Sequence, residues 1–259
     1  MLSTSVPSPV KNLPPQVDLR EILRHFTSHC NGPNRLCWHP ALDKENGTGM
    51  RVALLDSGIS GGDRQFQNAQ IQGRDFTESG GVFDSTGHGT KNARLLVAQG
   101  IDGFWGLVPA SVLLVGKVLG TGDRHRAAEA LAKGIRWAVY EKADVMIMPL
   151  GRIRGTTVVT QAVRQAIKAG CVVLAAAGNQ GAETLLFPAR LSDVIAVSAA
   201  DINGQPLNWC CQMPQVNCYA PGLEIGVRGK STSGSSVATV LAGGVETLYL
   251  ASGVRRSKF

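Results

Sequence analysis

From residue 50 onward the chain alternates short apolar runs with longer segments whose apolar residues recur every three or four positions. RVALLD (51–56), SVLLVGKV (111–118), ADVMIMPL (143–150), CVVLAAAG (171–178) and VIAVSA (194–199) are nearly unbroken apolar runs bounded by Gly, Asp or Pro. Such runs predict strands buried on both faces of a parallel sheet. Between the second and third runs, AAEALAKGIRWAVYEKAD places Ala127, Leu131, Ile135 and Ala138 on one face of a helix. Thr157 to Ala169 repeats the pattern through Val159, Val163, Ala166 and Ile167, and Gly170 stands where a helix end takes a left-handed residue. KNARLLVAQ and VATVLAGGVETLYL predict two more helices. Strand and helix in alternation build βαβ units, hence an α/β domain whose ligands meet it beyond the carboxyl ends of the strands. Ahead of this, residues 1–16 read as a loose proline-punctuated arm and QVDLREILRHFTSHC as a small amphipathic helix, which divides the chain into 1–45 and 46–259.

Composition narrows the class. With 259 residues, 44% of them hydrophobic and 17% charged, the chain is an ordinary globular protein, which excludes disorder, collagen and a disulfide-stapled miniprotein. No apolar run approaches the ~20 residues of a bilayer-spanning helix, so no membrane partner is expected. The first residues lack the apolar core and small-residue cleavage site of a signal peptide. Cys30, Cys37, Cys171, Cys210, Cys211 and Cys218 are therefore expected as free thiols, and the location as cytoplasmic. The net charge of +7 suits an acidic partner, but the basic residues are scattered. Their one cluster, Arg255, Arg256 and Lys258, has no interleaved aromatic residue, so no nucleic-acid partner is expected.

Four polar positions carry candidate chemistry. Asp56 closes the strand RVALLD, which sets a carboxylate at a strand's carboxyl end. His88 lies in Gly-His-Gly-Thr at the start of a helical pattern, and Asn179 follows the strand VVLAAAG. Ser236 lies in Gly-Ser-Ser at the start of another helix, where first-turn N–H groups can stabilise an oxyanion. Each alone has a plain structural reading as a turn, an exposed imidazole, a polar loop or a helix cap. Together, in this order, they resemble the subtilisin-like serine proteases, the subtilases. Gly106-Leu-Val-Pro-Ala110, Phe187-Pro-Ala189 and Ala220-Pro-Gly222 extend the resemblance over about residues 46–250.

The resemblance implies a three-layer fold with a mostly parallel central sheet flanked by helices, and an endopeptidase without cofactor. It assigns Ser236 as nucleophile, His88 as general base and Asp56 as the group that orients the imidazole. Asn179 and the backbone N–H of Ser236 would bind the oxyanion. Pro149, Leu150 and Gly151 would pair with an extended peptide, with Ala176, Ala177 and Gly178 as the opposite wall. Arg152 and Arg154, next along that edge, would favour acidic residues upstream of the cut, so the expected partner is a peptide or protein, in particular an acidic precursor peptide. The same acyl-enzyme also serves a macrocyclase or transpeptidase, and an idle triad would leave a peptide-binding scaffold.

Departures from the family limit the transfer. Lys91-Asn92-Ala93-Arg94 replaces a His, an aliphatic residue and a Gly, which changes the packing behind His88. Val237 stands for a common Met, and Pro149 for a Ser. The chain is shortened after Ser236 relative to the family, which implies that a protein partner or the N-terminal segment covers that side. Gln65 stands where the family often has an Asp that binds calcium, and His25, His29, Cys30, Cys37 and His39 match no zinc-finger spacing, so no metal is expected. Gly-x-Ser-x-Gly is absent around Ser236, which excludes an α/β-hydrolase.

Overall fold

The structure is a computed structural model that describes residues 18–29, 34–120, 122–227 and 230–254. The expected arm, Cys30 and the cluster Arg255, Arg256 and Lys258 lie outside the described residues. Seven strands form one sheet: β1 (Arg51–Asp56), β2 (Gln70–Asp75), β3 (Val112–Lys117), β4 (Val145–Met148), β5 (Val172–Ala176), β6 (Ile195–Ala200) and β7 (Cys218–Pro221). Their order is β2-β3-β1-β4-β5-β6-β7, and every neighbouring pair is parallel. β8 (Ile225–Val227) and β9 (Lys230–Thr232) pair antiparallel outside it. The helices are α1 (Leu19–His29), α2 (His88–Val97), α3 (Arg124–Tyr140), α4 (Thr157–Lys168) and α5 (Ser235–Ser252).

All five apolar runs are strands of the sheet. β2 escapes the pattern because it is an edge strand, largely exposed, whose sequence QIQGRD has no apolar run to show. α3 begins ahead of its first apolar residue because the Asp123 side chain accepts hydrogen bonds from His125 N and Arg126 N at 2.9 and 2.8 Å. α4 ends as its glycine implies, with Gly170 at φ 88°.

Alternate residues of the buried strands feed two cores. Val52 and Leu54 face a cluster shared with α1, α2 and α5, while Ala53 and Leu55 face one shared with α3 and α4. The result is three layers. α5 is buried from Val237 through Tyr249. It reaches the sheet through Gly243, where a Cβ would stand 2.4 Å from Ile147 Cδ1.

The N-terminal elements join the α5 side. Leu19, Ile22, Leu23 and Phe26 of α1 share their cluster with Leu36, Trp38 and Leu42 and with Leu248 and Tyr249 of α5, so this core runs across residue 45. The backbone is fastened too, by Leu36 N to Tyr219 O at 2.9 Å and by the Tyr249 hydroxyl to Cys37 O at 3.1 Å. Phe26 is fully buried, so Phe26→Ala should cost about 3–5 kcal/mol in urea unfolding. Phe83, 65% exposed, should cost within about 0.5 kcal/mol on the same change. Equal costs would show that α1 does not belong to the core.

Candidate active site

The strand order reverses at β1, which lies between β3 and β4, and the crevice of such a sheet opens beyond the carboxyl ends at that point. Asp56 is the last residue of β1, Pro149 follows β4, and Gly178 and Asn179 follow β5. α2 and α5 begin at this end, with His88 as the first residue of α2 and Ser236 as the second of α5.

Asp56 is wholly buried and its carboxylate is shared among three donors. His88 Nδ1 lies 2.6 Å from Oδ1, Ser57 N donates to the same oxygen at 2.7 Å, and Asn92 Nδ2 donates to Oδ2 at 2.7 Å. Asn92 therefore fills the altered space behind His88. It sits one helical turn beyond His88 on the same face, and that i, i+4 spacing was its only signal in the sequence. Gly89 lets α2 rest on the backbone after β1, since a Cβ there would lie 2.2 Å from Gly58 O. The hydrogen bond from Asp56 raises the His88 pKa above its ordinary value, against the opposing effect of burial.

A second buried carboxylate holds the turn that carries His88. Asp84 accepts from Ser57 Oγ at 2.9 Å, from Gly87 N at 2.9 Å, and from Thr90 N and Oγ1 at 2.8 and 2.7 Å. Burial pushes its pKa up, but the hydrogen bonds from Thr90, Ser57 and Thr86 outweigh this and bring it to about 2. The Lys117 ammonium, at the end of β3, braces the same turn through Phe83 O at 2.7 Å.

Ser236 Oγ donates to Pro149 O at 2.9 Å, and no hydrogen bond joins it to His88. α5 begins without a side-chain cap, which leaves the Ser236 N–H without a partner among the described residues. Ser235 N instead donates to Asn179 Oδ1 at 2.9 Å, and the Cys210 thiol reaches the same oxygen at 3.3 Å. With Oδ1 so occupied, the Asn179 NH₂ lies beside Gly234 at the start of α5. The Cys210 contact has no local sequence signal. Burial pushes that thiol up to about 11, so it stays a donor at neutral pH.

Leu150 and Gly151 follow Pro149 with backbone groups that bond to no described residue, an edge open to an extended chain. Ala176 and Ala177 are buried. Across from that edge, Ala177 N and O bond to Val197 O and Leu186 N, and Gly178 N donates to Ser235 Oγ at 3.3 Å. The backbone groups of Ala177 and Gly178 are thus already paired within the protein.

Cys171, Cys210 and Cys211 are free thiols. His25 and His29 stack at 3.9 Å, and His39 Nδ1 accepts from Ala41 N at 3.1 Å. No group of three or more His, Cys, Asp or Glu stands ready for a metal ion among the described residues. At the position of the family's calcium ligand, Gln65 is wholly buried and its amide Nε2 donates to Ile101 O at 2.6 Å. The amide nitrogen thus donates where a calcium ligand would have to accept, and Oε1 is left buried without a partner among the described residues. No described helix is long and apolar enough to cross a membrane.

Two titrations check this geometry. His88 should titrate by NMR above its ordinary 6.5, and Asp56→Asn should bring it down, because the carboxylate that raises it is then gone while the desolvation stays. Asp84 is depressed from 3.8, so its contribution of about 2 kcal/mol should be complete above pH 4 and be lost as pH falls toward about 2. The acid limb of stability should be correspondingly flatter in Asp84→Asn; an unchanged limb would show that these hydrogen bonds do not form.

Residues 47–252 match the Subtilase family. Among curated relatives, a thermostable alkaline protease of Halalkalibacterium halodurans is 36% identical, covering 78% of this chain and 57% of its own. The major intracellular serine protease of Bacillus subtilis is 32% identical over 69% and 60%, and thermitase of Thermoactinomyces vulgaris 31% over 88% and 85%. The chain thus spans between half and two thirds of the length of the first two. Among solved structures, the patellamide maturation protease PatA superposes with a TM-score of 0.71 at 29% identity, over 83% of this chain and 82% of its own. The prenylagaramide maturation protease PagA shares the fold with a TM-score of 0.71 at 24% identity, over 82% and 81%.

Proposed function

Because the chain belongs to the subtilase family, we propose that it is a serine endopeptidase working through an acyl-enzyme, with Ser236, His88 and Asp56 as its triad. The observation that carries this reading is the 2.6 Å contact of His88 Nδ1 with the buried Asp56 carboxylate, which leaves Nε2 as the basic nitrogen. A peptide lying along Leu150–Gly151 presents its carbonyl carbon to Ser236 Oγ. As that oxygen attacks, it leaves Pro149 O and gives its proton to His88 Nε2. The negative charge on the former carbonyl oxygen is met by Asn179 Nδ2 and the Ser236 N–H. Collapse expels the amine, which takes the proton from His88, and water or an amine then attacks the ester.

The substrate is a precursor peptide cut at a defined place, and the site of action is the cytoplasm. The first part is supported by the likeness to PatA, a patellamide maturation protease, and the second by an intracellular protease among the relatives. Hydrolysis is the default fate, because Ser236 and His88 are both partly exposed and open to water. The rest position of Ser236 Oγ on Pro149 O favours a second reading, a peptide-binding scaffold whose triad does not close.

A fluorophosphonate probe separates the two. It should label the wild-type chain at Ser236, and Ser236→Ala should lower kcat by on the order of 10⁶. Peptide binding without acylation would establish the scaffold, and equal labelling of Ser236→Ala would overturn the assignment. A cleaved product 18 mass units lighter than the hydrolysed fragment would mean cyclisation. Only neutral His88 accepts the proton, so kcat/KM should fall as pH drops through a midpoint above 6.5.

A further inference from the structure

Beside the proposed cleft opens a cavity of about 680 Å³ whose composition is divided. Its floor is aliphatic, from Leu119, Ala127, Leu131 and Leu150. Its rim is cationic. Arg152 spans the gap between the peptide edge and α3, with both terminal nitrogens 3.3 Å from Arg124 O. The side chains of Arg124 and Arg154 make no hydrogen bond or ion pair with any described residue. The one carboxylate of the lining, Asp123, is committed to the first turn of α3. Exposed guanidinium groups with no ion pair around an apolar hollow suit a ligand that has a short apolar stem and an anionic end.

We propose that this cavity is a side-chain subsite for Asp or Glu, so that the substrates are peptides with an acidic residue upstream of the scissile bond. The proposal rests on the endopeptidase reading, in which the Pro149–Gly151 edge holds the upstream part of the peptide. The cavity begins at Leu150 and Gly151, one residue beyond the Pro149 carbonyl that holds Ser236 Oγ, and continues through Arg152 and Arg154. A side chain entering it can lay its methylenes on the aliphatic floor and carry its carboxylate to the rim. There the planar fork of a guanidinium can meet both oxygens. Uncommitted cations at the mouth also draw an acidic peptide during encounter, an effect that salt screens.

The test uses fluorogenic peptides with Glu, Gln or Lys at each upstream position in turn, with the wild-type chain, Arg154→Gln and Arg152→Gln/Arg154→Gln. At one position the wild type should favour Glu over Lys by about tenfold in kcat/KM, the order that exposed guanidinium–carboxylate contacts supply. The double variant should retain less than about threefold, and about 0.5 M salt should reduce the wild-type preference similarly. Arg154→Gln alone should lower the ratio as well, and it removes no intramolecular hydrogen bond on which folding depends. Absence of any preference for Glu in the wild type would overturn the proposal, as would a preference undiminished in both variants. Binding of the same peptides, fluorescently labelled, to Ser236→Ala separates the subsite from the chemistry. Tighter binding of Glu peptides that needs the arginines supports the subsite even if no peptide is cut, whereas cutting without charge preference overturns the subsite and leaves the endopeptidase reading standing.

Discussion

The burial of α5 holds the rest of the molecule in register. This helix is buried on nearly every side, enclosed between the sheet, α2 and the elements before residue 45. Gly243 brings its axis down onto β4, and Gly244 admits Leu107, so the helix has little freedom to slide or turn. Its first turn projects past the strand ends, where Ser236 meets the backbone that follows β4 and Ser235 meets Asn179 after β5. The position of the proposed nucleophile is thus a consequence of core packing, and local loop geometry has a minor part in it.

On the other side of the crevice, polar contacts do what packing does for α5. Two buried carboxylates, Asp56 and Asp84, divide the work. Asp56 holds the imidazole together with Asn92, and Asp84 gathers the amides and hydroxyls of the turn leading into α2. Ser57 joins them, because its hydroxyl donates to Asp84 and accepts from Gly89 N. Since every donor to these oxygens comes from the protein, neither charge is stranded, which is the condition for keeping two carboxylates in a low-dielectric interior.

Much of this was legible beforehand, and what was not has a common cause. The buried strands announced themselves as apolar runs and the helices as periodic ones, because burial on two faces or on one leaves a local trace. Asp56, His88, Asn179 and Ser236 were singled out by their order along the chain and its resemblance to the subtilases, each alone having a plain structural reading, and the structure brings their elements to one crevice. β2 left no trace because an edge strand is held by its backbone. Asn92 looked like a departure from a pattern, and only the fold shows the Asp56 oxygen it supplies. Cys210 meets Asn179 across 31 residues of chain, and nothing in the residues around either one encodes that meeting.

The order of the elements along the chain also has a meaning in time. Asp56 and His88 belong to the early part of the sequence, Asn179 and Ser236 to the late part, and α1 packs against β7 and α5 as well as against the segment that follows it. A chain leaving the ribosome therefore carries an imidazole and a carboxylate long before it carries the hydroxyl they would serve. α1 completes the burial of its apolar face against the last strand of the sheet and the last helix described here. Because domains fold as units, the crevice takes its shape only once α5 has been made.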